Sequence, residues 1–146
     1  MTLRARGRPE FDDVYRELTR ASCRVTGPRK AIVTAFAHLR RYVTPKELHD
    51  HLRSAKVRIG LATVYRTLEV LRRIGAASAA PQAHGETAYL FCAISHHHHA
   101  VCVRCGRVDD VPCRSVAGFA RSLAGNLRFR LTQHKLEFFG LCARCS

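Results

Sequence analysis

The sequence predicts an α+β chain in two parts: a basic, helical N-terminal part ending in a hairpin, and a C-terminal part of strands and one helix built around metal ligands. Three observations carry this. Up to Gly75, apolar residues recur every three or four positions in successive segments that open on helix-start signals. After Gly75 the apolar spacing shortens toward two, with one further helical stretch at 115–126. The last third is framed by two Cys-x-x-Cys pairs, Cys102/Cys105 and Cys142/Cys145.

The elements follow in order. Residues 11–21 form a first helix, with Asp12 and Asp13 near its start and Phe11, Val14, Tyr15 and Leu18 at helical spacing. Thr26 caps a second, with Pro28 in its first turn and Ile32, Val33, Phe36 and Leu39 as its apolar face. Thr44, Pro45 and Glu47 make a capping box for a third, whose Leu48 and Leu52 face inward. The fourth spans 61–74 and stops at Gly75. Its Leu61, Val64, Leu68 and Leu71 are expected in the core, and Thr63, Tyr65, Arg66, Thr67 and Arg73 on the outside. Short helices followed by one with an exposed Thr/Tyr/Arg face fit a helix-turn-helix, whose last helix enters the major groove. Residues 76–82 and 87–91 then form a two-stranded wing with its turn at His84 and Gly85. Beyond it come a strand at 106–111, the helix at 115–126 and a strand at 130–141, in which Leu131, Gln133 and Lys135 share a face.

Composition narrows the function. A length of 146 residues suits one ordinary domain or two small ones, and a 47% hydrophobic content supports real cores. No apolar run is long enough to span a membrane. The first nine residues are basic but lack an apolar stretch, so they read as a loose arm rather than a signal peptide. The expected location is the cytoplasm, where seven cysteines point to metal chemistry rather than disulfides. The net charge of +14 is uneven: residues 1–80 hold 17 of the 25 Lys/Arg and 7 of the 11 Asp/Glu, a net +10. Such an excess favours a polyanion, through release of condensed counterions.

The stretch from Cys92 to Cys105 concentrates three cysteines and four histidines, the ligands of zinc and its neighbours. Cys102, Cys105, Cys142 and Cys145 together supply four thiolates, enough to close a tetrahedral structural zinc site. In an extended chain His97 and His99 share one face and His96 and His98 the other, so one run can feed two metal sites. Cys92, five residues before His97, completes a mixed Cys/His set.

Several long segments together resemble the ferric uptake regulator family over nearly the whole chain. They are 24–29 (RVTGPR), 60–68 (GLATVYRTL), the histidine run leading into Cys102 and Cys105, and His134 leading through Phe139 and Gly140 to Cys142 and Cys145. The resemblance implies a homodimeric repressor of metal-homeostasis genes that binds double-stranded operator DNA. It implies a winged-helix DNA-binding domain at 1–80 with the wing reaching about 91, a hinge at 81–91, and an α/β dimerisation domain at 92–146. No small organic substrate and no membrane partner is expected. It also implies a regulatory metal, zinc or another divalent transition metal, held by Cys92, His97 and His99. The acid expected at the hinge aligns with Ser78, so the fourth ligand is expected to be His84, with Asp110 or water as substitutes. Iron-type members carry a histidine where this chain has Tyr42, which favours zinc.

A second regulatory site would use His96, His98 and His134, but the acid expected with them aligns with Ala117. Cys23 and Cys113 match no family ligand and read as bland thiols rather than ligands, with Cys113 near enough in sequence to the cluster to be watched. Thr63, Tyr65 and Arg66 are expected at the bases, and Arg24, Arg29 and Lys30 at the phosphates. Rival readings are a nickel, iron, manganese or peroxide sensor of the same family, a zinc enzyme acting on nucleic acid, and a metal-storage protein. The enzyme lacks its motif, because Pro112-Cys113 is not followed by the second cysteine of a zinc deaminase. A storage protein leaves the basic half unexplained.

Overall fold

The computed structural model describes residues 11–82, 85–92, 97–132 and 134–146. The basic arm, His84, His96 and Gln133 lie outside the described residues. The chain divides into two compact units, Met1–Ile94 and Ser95–Ser146.

The first unit holds helices α1 (Phe11–Arg20), α2 (Gly27–Leu39), α3 (Pro45–Ser54) and α4 (Leu61–Arg73), then strands β1 (Ala77–Pro81) and β2 (Thr87–Phe91). Local chemistry places the helix starts. Thr26 accepts a hydrogen bond from Arg29 N–H, and Thr44 and Glu47 form a complete capping box with Pro45 in the first turn. Gly75 takes φ 78° just beyond α4, where a side chain would be strained. Val14, Leu18, Ile32, Val33, Phe36, Leu48, Leu52, Val64, Leu68 and Leu71 are buried together in one apolar core. Phe91 of β2 packs edge-on against Phe36 at 5.7 Å. Strands β1 and β2 pair antiparallel, with Ser78 opposite Leu90 and Ala79 opposite Tyr89. Val43 bridges to Tyr89 through reciprocal backbone hydrogen bonds of 2.9 and 2.8 Å, tying the hairpin to the α2–α3 connection. The Tyr89 hydroxyl donates to Glu69 of α4, and burial followed by this carboxylate pushes its pKa up to about 12.

Two expectations for α4 are corrected. Leu61 is 38% exposed, because it opens the helix and no earlier turn covers it. Thr67 is fully buried rather than exposed. Its hydroxyl donates to the Thr63 carbonyl at 2.7 Å, which satisfies the polar atom inside the core.

The second unit is a three-stranded sheet in the order β4-β3-β5, made of β3 (His97–Cys102), β4 (Val108–Pro112) and β5 (Glu137–Gly140). β3 pairs antiparallel with β4 and parallel with β5. A 3-10 turn (Cys113–Ser115) and helix α5 (Ala117–Leu127) connect β4 toward β5. Among the described residues, the strand expected over 130–141 is seen at Glu137–Gly140, where β5 pairs with His99 to Cys102 of β3. No residue of α5 is buried, although it carries Phe119, Leu123 and Leu127.

Candidate metal centres

The four paired cysteines are brought together by the sheet. β3 ends at Cys102, and the chain turns back through Gly106 (φ 71°), whose N–H donates to the Cys102 carbonyl at 2.9 Å. The parallel register sets Cys102 opposite Gly140, which carries the second turn, Cys142 to Cys145, alongside the first. The Sγ atoms of Cys102, Cys105, Cys142 and Cys145 all lie within 4.8 Å of one another. Cys105 Sγ and Cys142 Sγ are 3.8 Å apart. Zinc–sulfur bonds of about 2.3 Å at tetrahedral angles require sulfurs about 3.8 Å apart, so this pair stands at zinc spacing. Backbone amides favour thiolates here. The Cys142 N–H reaches Cys102 Sγ at 3.4 Å, and with the Cys105 and Arg104 amides it lowers the Cys102 thiol to about 6. The Arg144 amide lowers Cys142 as well. Cys145 is pushed up to about 12, chiefly by the adjoining Cys142 sulfur. Four sulfurs this close cannot all carry charge by themselves, and a divalent cation removes the conflict. The cluster can therefore hold a metal ion, and its all-thiolate composition suits structural zinc.

Strand alternation sorts the described histidines of β3. His97 and His99 lie on one face, with rings 4.8 Å apart and Nε2 atoms at 3.1 Å. Two zinc-bound imidazole nitrogens would stand about 3.3 Å apart. Asp110 of β4 is the register partner of His99, and its Oδ1 lies 3.8 Å from His97 Nε2. Burial, then the neighbouring His97, holds the His99 pKa below its ordinary value, keeping the ring in the neutral form that ligates metals. Cys92, five residues before His97, is buried at the end of the first unit, and its N–H donates to the Ala76 carbonyl at 3.0 Å. Ser78 is buried on β1, and Tyr42 is half-buried beside the bridge residue Val43.

His98 points to the other face and is fully buried. Its ring lies 4.9 Å from that of His134, and Leu136 N–H reaches its Nδ1 at 3.3 Å. Cys113 joins this pair, with its Sγ 3.7 Å from His134 Nε2. Ligand atoms of His98, Cys113 and His134 all lie within 4.8 Å of one another. The sequence marks Cys113 only as a thiol near the cluster; it opens the 3-10 turn four residues before Ala117, and no local pattern predicts its approach to His134.

In the first unit, Tyr65 (47% exposed) and Arg66 stand exposed on α4, with Thr63 half-buried one turn before Thr67. Arg24 and Lys30 are exposed. The half-buried Arg29 donates to the Arg24 carbonyl at 2.6 Å, and Lys30 Nζ lies 5.6 Å above the Tyr15 ring. These cations frame the start of α2. Among the described residues, no helix is long and apolar enough to cross a membrane.

A family model described as the ferric uptake regulator family matches residues 20–139. A zinc uptake regulation protein of Mycobacterium tuberculosis is 37% identical over 128 residues, covering 88% of this chain and 98% of that protein. A ferric uptake regulation protein of Neisseria meningitidis is 28% identical over 130 residues, covering 88% and 90%. Among solved structures, the Vibrio cholerae ferric uptake regulator is 28% identical with a TM-score of 0.65, covering 89% of this chain and 100% of that one. A zinc uptake regulator solved with zinc and DNA has the same fold, at a TM-score of 0.63 and 23% identity, covering 92% and 91%.

Proposed function

This chain belongs to the ferric uptake regulator family, and on that premise we propose that it is a zinc-responsive transcriptional repressor, acting in the cytoplasm as a homodimer on operator DNA of metal-homeostasis genes. Members of this family are metal-responsive regulators and not enzymes. The observation that carries the zinc assignment is the pairing of thiolate-rich ligand groups at zinc spacing with 37% identity to a zinc uptake regulation protein. Soft thiolate ligands select against manganese and magnesium, which prefer oxygen.

Cys102, Cys105, Cys142 and Cys145 hold structural zinc, whose binding free energy becomes folding free energy of the second unit. Cys92, His97 and His99 hold the regulatory ion. Asp110, whose Oδ1 lies 3.8 Å from His97 Nε2, is a candidate fourth ligand, and His84 lies outside the described residues. His98 and His134 remain as a further pair, and His96 lies outside the described residues too. Self-association is supported by the exposed Phe119, Leu127, Phe129, Phe138 and Phe139, large apolar side chains that a partner copy would cover.

The mechanism is a population shift. Regulatory ligands lie on either side of the boundary near residue 94, so a bound ion favours one arrangement of reading head and dimer. It acts only through its differential affinity: about 100-fold tighter binding to the DNA-competent state is worth about 2.7 kcal/mol. In that state α4 enters the major groove. Arg66 and Tyr65 read base edges with Thr63, while Arg24, Arg29 and Lys30 meet phosphates.

The test is fluorescence anisotropy on a palindromic duplex selected by the protein from random DNA, with free zinc buffered across a wide range and iron(II), manganese and nickel run in parallel. Tight binding appearing only as zinc rises supports the reading. Binding that ignores every metal would sink it.

A further inference from the structure

We propose that Cys113 is a metal ligand, completing the site expected from the family resemblance at His98 and His134 with a thiolate where the expected acid is replaced by Ala117. This goes beyond the repressor reading, which does not need Cys113. Three elements converge on the site: His98 from the centre of β3, Cys113 from the 3-10 turn after β4, and His134 from the segment leading into β5. Their ligand atoms lie within 4.8 Å of one another. Cys113 Sγ lies 3.7 Å from His134 Nε2. For zinc–sulfur and zinc–nitrogen bonds of about 2.3 and 2.05 Å at a tetrahedral angle, that separation should be about 3.6 Å. The two groups therefore already stand where a shared ion would hold them.

The environment also fits. His98 is fully buried, while Cys113 and His134 are half-buried, so an ion has a rigid inner ligand and an outer approach. On binding, the thiol proton of Cys113 leaves to solvent and the thiolate takes the metal. A neutral imidazole that ligates through one nitrogen carries its proton on the other. Loading therefore ends the acceptor role of His98 Nδ1 toward Leu136 N–H, whichever nitrogen ligates, and the 3.3 Å contact is given up. Two imidazoles and a thiolate favour zinc and cobalt(II) over manganese and leave one coordination position for water or another donor. The site is thus softer than a histidine–carboxylate site.

The experiment uses full-length protein retaining its Cys102/Cys105/Cys142/Cys145 zinc, in a Cys92→Ser background so that no regulatory thiolate contributes. Titration with cobalt(II) should add one ion per chain with a thiolate-to-cobalt charge-transfer band in the near ultraviolet, and Cys113→Ser should remove that band. No band in the parent, or a band surviving Cys113→Ser, overturns the assignment. A second measurement needs no variant. Added zinc should slow alkylation of Cys113, mapped by mass spectrometry, while Cys23, which joins none of the ligand groups, reacts at an unchanged rate. Equal alkylation of Cys113 with and without zinc overturns the site. Neither readout depends on DNA, so failure here is distinct from failure of the repressor reading.

Discussion

The two units solve the same problem, a small chain needing an interior, with different materials. The first buries aliphatic and aromatic side chains from four helices and a hairpin. The second buries few apolar groups among the described residues, chiefly Val108 and Val116, and its other buried side chains are His98, His99 and Cys102. A core of ligands gains little from leaving water unless a cation satisfies it. The first unit is therefore stabilised by packing, and on the proposed function the second relies on metal. That reading joins a DNA-reading unit that folds regardless of metal to a unit whose structure depends on it.

The largest expected effect breaks the second unit alone. Cys102→Ser removes one of four thiolates from a class of site that contributes about 10–16 kcal/mol in zinc-finger peptides. Hydrogen exchange should show collapse of protection in β3 to β5 with the α1–α4 core still protected, and sedimentation should show loss of the dimer. A stable, zinc-loaded dimer would contradict the division. The mirror experiment is Leu68→Ala, a fully buried position, which should cost about 2–5 kcal/mol. That loss should appear in the helical unfolding transition and leave zinc content unchanged.

Next comes the coupling between units. Cys92→Ser should leave both units folded but remove zinc-dependent operator binding, a loss of about 2.7 kcal/mol if the ion prefers the DNA-competent state 100-fold. Unchanged operator affinity would separate Cys92 from sensing. Within the reading head, Arg66→Ala should cost about 1–3 kcal/mol of sequence discrimination, whereas Arg24→Ala should weaken all DNA alike and lower the salt slope by about one. Equal losses on selected and random duplexes for both variants would contradict these roles.

The smallest effect sharpens the comparison through pH. Burial, with His97 second, lowers the His99 pKa from 6.5, so the unfolded chain binds this proton more readily than the folded one. Stability from this group is full above about 6.5 and falls as pH drops through the folded value. Resistance of the second unit to denaturation, with only its four-cysteine site loaded, should therefore fall on mild acidification, and His99→Phe should flatten that slope. An equal slope in His99→Phe would place the sensitivity elsewhere.

What could be read from the sequence was what short-range geometry decides. Thr26 and Thr44 set helix starts because a cap and its amide partners lie within three residues. The alternation of an extended chain was enough to separate His97 and His99 from His98. The spacing within each Cys-x-x-Cys made two thiolates available to one ion before any fold was known. Tertiary structure decided what depends on distant segments meeting. Thr67 looked external until its hydroxyl found the Thr63 carbonyl inside a core assembled from all four helices. Among the described residues, the strand expected over 130–141 shrank to β5 because pairing requires a neighbour, and β3 offers one for four residues there. Asp110 came beside His97 through cross-strand register. Cys113 came beside His134 across 21 positions of chain. No local period or cap encodes such a meeting, because it depends on how β4, the turn after it and the approach to β5 pack around one buried histidine.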